Sequence, residues 1–200
     1  INFAEKLKRS YMKQYIIGII LTLCLASCGQ HSKHWETLTQ VESFMEERPD
    51  SALIVLQGID IEELASKEEK AKHALLLSMA LDKNVIDRTD FEILHPAIDY
   101  YKNNGSPTEQ MLTLFYQGQI HRINSQYAQA LVCFCDAIKI GEDSKDIHTK
   151  ARVYDAQGDV YKSLTKWVET IKSKLFAADC FSKLDNTDYC VSALLDVFYS

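Results

Sequence analysis

Apolar residues along this chain recur at steps of three and four, the spacing of one face of a helix, and not at steps of two. From His34 onward, Trp35, Leu38, Val41 and Phe44 or Met45 make one such stripe, and Leu53, Val55 and Leu56 make the next. Pro49 is expected to end the first helix, Asp50 to cap the second and Gly58 to close it. Further starts are marked where a hydroxyl stands three residues before a carboxylate: Ser66 with Glu69, Thr89 with Glu92, and Ser106 with Glu109. Pro107 suits a first helical position, and Asn103-Asn104-Gly105 supplies the stop before it. The pattern predicts helices over 34–47, 50–57, 61–82, 90–103, 107–123, 127–141, 145–163, 166–184 and from 188 onward. No run of four or more residues alternates with β-branched side chains, so no sheet is expected.

The clearest stretch runs from Leu114 to Ala137. Gly118 lies inside a helical pattern, Ala130 follows twelve residues later, Phe134 four after that and Ala137 a further three. This spacing describes two antiparallel helices with small residues at their closest approach and an aromatic beside them. The grid recurs at a period of about forty residues. Counting from Gly118, the equivalents are Ser78, Gly158 and, two residues short of the period, Asp196; counting from Ala137, they are Ala97 and Ala177. One helix pair cannot bury its apolar face alone, so this self-similarity predicts a stacked array.

These residues resemble the tetratricopeptide repeat. The best copy carries Leu114, Gly118, His121, Ala130, Phe134 and Ala137, with Tyr127 at the turn. The next carries Tyr154, Gly158, Tyr161, Trp167 and Ala177, and departs from the pattern at Thr170 and Lys174. Ala74, Ser78, Leu81, Leu94 and Ala97 form a weaker earlier copy, and Asp196 with Tyr199 begins a further one that is cut short. The resemblance implies an all-α, right-handed α-α superhelix. It also implies that the first helix of each pair lines a concave groove, here through Phe115, Tyr116, Gln119 and Arg122 and then Arg152, Asp155, Asp159 and Lys162. A mixed aromatic and charged groove suits an extended or helical peptide of a protein partner. The Lys/Asn set with which some family members clamp a peptide's terminal carboxylate is replaced by Phe115 and Gln119, which argues against that partner class.

The start of the chain follows different rules. Met12 to Cys28 reads as a secretory signal: Lys13, an apolar run from Tyr15 to Leu25, then small residues. The run is too short for the roughly twenty residues that span a bilayer. Its end, Leu25-Ala26-Ser27-Cys28, resembles the lipobox of bacterial lipoproteins, which implies that Cys28 carries acyl groups such as palmitate and becomes the mature N-terminus. Each buried methylene contributes about 0.8 kcal/mol to such an anchor. The expected organisation is an over-called start at 1–11, a signal peptide at 12–27, a tether at 28–33 and the helical array at 34–200. Localisation is expected at a membrane, facing the periplasm.

Composition adds limits. Apolar residues make up 46% and charged residues 25%, with three prolines and seven glycines, which suits long helices in a globular array. The formal charge is −6; removing the residues before Cys28 deletes four basic groups and one acidic group, leaving 18 against 27. An acidic surface of this kind argues against nucleic acid as a partner.

Candidate chemistry is sparse. Cys133 and Cys135 stand two apart on a helix and cannot pair with each other, whereas Cys180 and Cys190 are candidates for a disulfide across a turn. Cys133, Cys135, His121 and His148 lack the one-sided spacing of a zinc site. Asp155 and Asp159 share a helix face, an arrangement that suits either acid–base work or a groove wall, and the second is favoured. Gly118 and Gly158 lie within helices and imply no phosphate loop. The expectation is a non-enzymatic scaffold without metal or cofactor, anchored through Cys28, that binds another protein. One alternative is the periplasmic sensor part of a longer membrane-bound regulator with an output domain. A weaker one is a glycan-binding or nutrient-uptake lipoprotein, a class rich in exposed Trp, whereas only Trp35 and Trp167 occur here.

Overall fold

The computed structural model describes residues 32–184 and 186–198. The expectations for residues 1–31, including the signal peptide, the acylated Cys28 and the tether, lie outside the described residues, as does Tyr199. The chain divides into two units, Ile1–Glu36 and Thr37–Ser200. In the first, the Ser32 hydroxyl accepts from the Trp35 backbone N–H at 3.2 Å.

The described residues are all-α, with nine α-helices and no strand: α1 (Lys33–Phe44), α2 (Pro49–Gln57), α3 (Lys67–Lys83), α4 (His95–Asn104), α5 (Pro107–Ile123), α6 (Tyr127–Gly141), α7 (Ile147–Ser163), α8 (Trp167–Ser182) and α9 (Thr187–Phe198). Among them no helix is long and apolar enough to cross a membrane.

The caps repeat with the chain. Ser66, Ser106, Asp146 and Asn186 stand forty residues apart, and each accepts from the backbone N–H three residues on, at 3.1, 3.3, 2.9 and 3.4 Å. The other ends of α3, α5 and α7 match as closely. Val85, Ser125 and Thr165 take left-handed backbone angles, with φ of 58°, 58° and 55°. Behind them Ile86, Gln126 and Lys166 donate backbone N–H bonds to Leu81, His121 and Tyr161, at 2.9, 2.8 and 2.9 Å. This is the Schellman closure, which satisfies carbonyls that a helix end leaves free. It is formed here by residues with a Cβ, which each bear a left-handed penalty of about 1–2 kcal/mol. The caps also correct one alignment. Phe198, not Asp196, stands forty residues after Gly158, and Asp196 aligns with Ala156 and Tyr116.

Three other expectations change. The helix expected over 61–82 is divided: a 3₁₀ turn at Ile61–Glu63 precedes Ser66, whose extended backbone starts α3 afresh. Asp50 does not cap α2; Arg48 occupies that position without a side-chain bond, Pro49 begins the helix and Asp50 lies in its first turn. Thr89 and Glu92 form no capping box, because the Asp90 carboxylate takes the Glu92 N–H at 3.1 Å and Pro96 sets the start of α4 at His95. The box at Ser106 and Glu109 forms completely.

Packing proceeds from neighbour to neighbour. Leu38, Val41, Leu56 and Leu76 belong to a first core between α1, α2 and α3. Phe115, Phe134, Val153 and Val160 belong to a second that spans α3 to α7, and Ala177, Phe181 and Ala193 to a third at α7–α9. Along α5 to α8 the glycine grid holds. A Cβ on Gly118 would lie 2.4 Å from Phe134 Cε1, and one on Gly158 would lie 3.0 Å from three carbons of Lys174. Each glycine meets the residue sixteen positions later, so the two stand in matching surroundings.

Candidate functional site

The polar residues singled out on the first helix of each repeat gather into two nodes. At the first, Asp146 caps α7 and so fixes its register, which carries Arg152 across to α5 and α3. The Arg152 guanidinium lies 4.5 Å from the centre of the Phe115 ring, donates to the Tyr116 hydroxyl at 3.2 Å and pairs with Asp82 at the end of α3. A planar guanidinium meets all three demands at once, which an ammonium does not. Burial pushes the Tyr116 phenol up to about 12, against the opposing pull of Arg152. Burial disfavours the charge on Arg152, but Tyr116 and Asp82 outweigh it and raise its pKa further. Neither group exchanges a proton near neutral pH. A cleft of about 40 Å³ between α3 and α5, bounded by Asp82, Tyr116 and Gln119, lies beside this node.

The second node sits one repeat on. Lys174 of α8 is 1% exposed, yet its ammonium reaches Asp155 at 2.7 Å, Asp159 at 2.6 Å and Asp196 at 2.9 Å. Lys162 donates to the other oxygen of Asp196 at 2.8 Å. Burial raises the Asp155 carboxyl above its ordinary value despite the nearby ammonium. Burial also pushes Asp196 up, but hydrogen bonds from Lys162 and Lys174 outweigh it and leave that carboxyl below the usual range. The cluster joins α7, α8 and α9 through one buried cation, whose three donors are all taken by carboxylates.

Set against the expected groove, the eight residues divide. Phe115 is 1% exposed and packs on Phe134, ring centres 6.2 Å apart, so it is a core residue and not part of an open groove wall. Tyr116 is buried under Arg152. Gln119 and Arg122 are half-buried and bonded to each other at 2.8 Å. Arg152, Asp155, Asp159 and Lys162 all have partners within the chain. Sequence reasoning missed Asp82, Lys174 and Asp196. The forty-residue register was the available signal for Asp196, because it places that carboxylate opposite Lys174 as Ala156 lies opposite Phe134.

The remaining candidates are dispersed. Cys133, Cys135, Cys180 and Cys190 are free thiols, and burial pushes the Cys133 thiol up to about 11. His121 Nδ1 bonds the Gln126 amide oxygen at 2.6 Å and its ring tilts against Phe91, while His148 lies edge-on to Phe181. Among the described residues no group of three or more His, Cys, Asp or Glu is placed to hold a metal ion. No known protein family, no curated protein and no solved structure matches the chain.

Proposed function

We propose that the chain is a tetratricopeptide-like scaffold, anchored at a membrane through acylated Cys28, which binds another protein along the face formed by α3, α5 and α7. The recurrence of caps and left-handed closures every forty residues carries this reading, since it sets three equivalent helices side by side. In this scaffold Arg152 and Lys174 lock the helices in register, and the contact with the partner falls to the more accessible Gln119 and Arg122 along with the outer edges of Asp155, Asp159 and Lys162. Rigid helices present those side chains with little entropy left to lose on binding.

The test is site-specific photo-cross-linking in cells. A benzophenone side chain at Gln119 is expected to trap a defined partner, and one at the exposed Lys172 of α8 is not. Arg122→Glu should weaken that capture at least tenfold without changing helicity. Equal yields from both positions would remove the groove from the reading. For the anchor, Cys28→Ser should move the chain from the membrane fraction to the soluble one.

One observation favours a second reading, the sensor part of a longer membrane regulator. Val191 and Phe198 of α9 are exposed, although Ala151 and Gly158, forty residues earlier on α7, are buried beneath α8. An open reading frame past Ser200 that encodes a matching helix would support it, and a stop codon there would end it.

A further inference from the structure

A second concavity lies on another face of α5, between α4 and α6. It encloses about 610 Å³, a size that accepts a ligand or a peptide side chain with its neighbours. Half-buried Ile98, Leu114 and Ile140 form its apolar surface; exposed Lys102 stands at its edge on the α4 side, and exposed Asp136, Lys139 and Asp143 on the α6 side.

The chain itself shows what fits such a place. Forty residues on, Leu114 becomes Tyr154 and Asp136 becomes Phe176, and those two rings stack with centres 5.1 Å apart at 23°. One repeat thus covers its tyrosine with an aromatic ring of its own, and the other leaves Leu114 beside open space. The polar surroundings differ in the same sense. Gln157 accepts a bond from Ser173 at 2.8 Å, whereas Gln117 has Cys133 at the matching place and makes no side-chain hydrogen bond among the described residues. Lys102 and Lys139, one on each wall, stand where the next repeat has Glu142 and Asp179, and neither lysine is ion-paired among the described residues.

We propose that the groove between α4 and α6 is a docking site for a protein segment that inserts an aromatic side chain over Leu114, as Phe176 lies over Tyr154. Lys102, on the wall away from Asp136 and Asp143, selects a segment with a carboxylate next to that ring, and the Gln117 amide serves its backbone. The site is separate from the α3–α5–α7 face, so it stands or falls independently of the scaffold's groove.

Methyl NMR on the full chain tests it, with N-acetyl-Glu-Phe-amide as the probe and N-acetyl-Glu-Leu-amide and N-acetyl-Gln-Phe-amide as comparators. The phenylalanine–glutamate probe is expected to shift the methyl signals of Ile98, Leu114 and Ile140 at millimolar concentration. Both comparators should need at least three times more. Asp136→Phe, which recreates the arrangement of the next repeat at an exposed position, should lose at least tenfold in affinity while its melting temperature holds or rises. An equal response to the leucine probe, unchanged binding by Asp136→Phe, or no shift at those methyls would each overturn the proposal. Lys102→Gln provides a second variant free of any packing change, and is expected to respond alike to the glutamate and glutamine probes.

Discussion

The α5–α6 and α7–α8 pairs share caps, lengths and helix contacts, yet fill the same central position by opposite means. In α5–α6 it holds Phe134, set against Gly118 and Phe115, with Ala156 contributed by the following helix. In α7–α8 it holds Lys174, and the equivalents of Phe115, Gln119 and Ala156 are Asp155, Asp159 and Asp196. Four positions on three helices have therefore changed together. An aromatic layer and an ionic layer occupy one backbone geometry, because a lysine stem fills space much as an apolar side chain does and only its tip needs partners. The ionic layer adds direction: three carboxylates must converge on one ammonium, which fixes the angle of α9 in a way that apolar contact does not.

The largest effect is expected from moving the lysine into the wrong layer. Phe134→Lys would place an ammonium among Phe115, Gln119 and Ala156, where nothing neutralises it. Losing the ring and burying an unpaired charge together cost roughly 5 kcal/mol or more, comparable to the whole stability of a domain. Urea titration followed by circular dichroism should find the variant largely unfolded. Adding Phe115→Asp, Gln119→Asp and Ala156→Asp should recover part of the loss. Failure to recover any would mean that the ionic layer depends on features outside these four positions.

Removing the cation from its own layer is next. Lys174→Ala leaves Asp155, Asp159 and Asp196 facing one another. About 3 kcal/mol is expected, the low end for breaking a buried pair, since the carboxylates keep 30–39% exposure and water relieves part of their repulsion. Lys174→Met keeps the stem and should lose less. The pH dependence has a definite sign. The folded-state pKa of Lys174 is raised because Asp155 and Asp159 outweigh its burial. Its contribution is therefore fully present below the unfolded value of about 10.4 and is lost as pH rises beyond it. From neutral pH upward, the stability gap between the native chain and Lys174→Met should stay level to about pH 10 and narrow above it; a gap that narrowed between neutral pH and about pH 10 would contradict the assignment.

What could be read from the sequence follows from how far each signal reaches along the chain. A hydroxyl at Ser106 bonding the N–H of Glu109 is settled within one turn, and the starts and stops of α5 to α8 were legible to within two residues. Lys174 was legible only as a departure from a pattern, because its burial depends on acids spread from Asp155 to Asp196 on two other helices. Phe115 was misread for a related reason. It lies three residues before Gly118, at the edge between the groove and the core, and only its contact with Phe134 decides the side. The irregular stretch before α4 also escaped, since Thr89 and Asp90 both suit a cap and their competition is resolved by the ion pair of Asp90 with Arg88.

The smallest effect, and the one that separates the two layers most finely, comes from their glycines. Replacing an interior helical glycine by alanine gains about 1 kcal/mol in helix propensity. At Gly118 that gain meets a new methyl 2.4 Å from an aromatic carbon of Phe134, a rigid ring held in place by Phe115. Overpacking of this kind costs about 1–3 kcal/mol, so Gly118→Ala is expected to lose stability on balance. At Gly158 the new methyl meets three carbons of the Lys174 stem at 3.0 Å, and a stem with several rotatable bonds yields more readily than a ring. The two terms should nearly cancel, leaving Gly158→Ala within about 1 kcal/mol of the native chain. The stem is free to yield only as far as its tip allows, and the tip is held by three carboxylates. If thermal melts found Gly158→Ala as damaging as Gly118→Ala, the ion cluster would be freezing the stem as firmly as a ring. The damage should then shrink in the Lys174→Met background, where the tip is released.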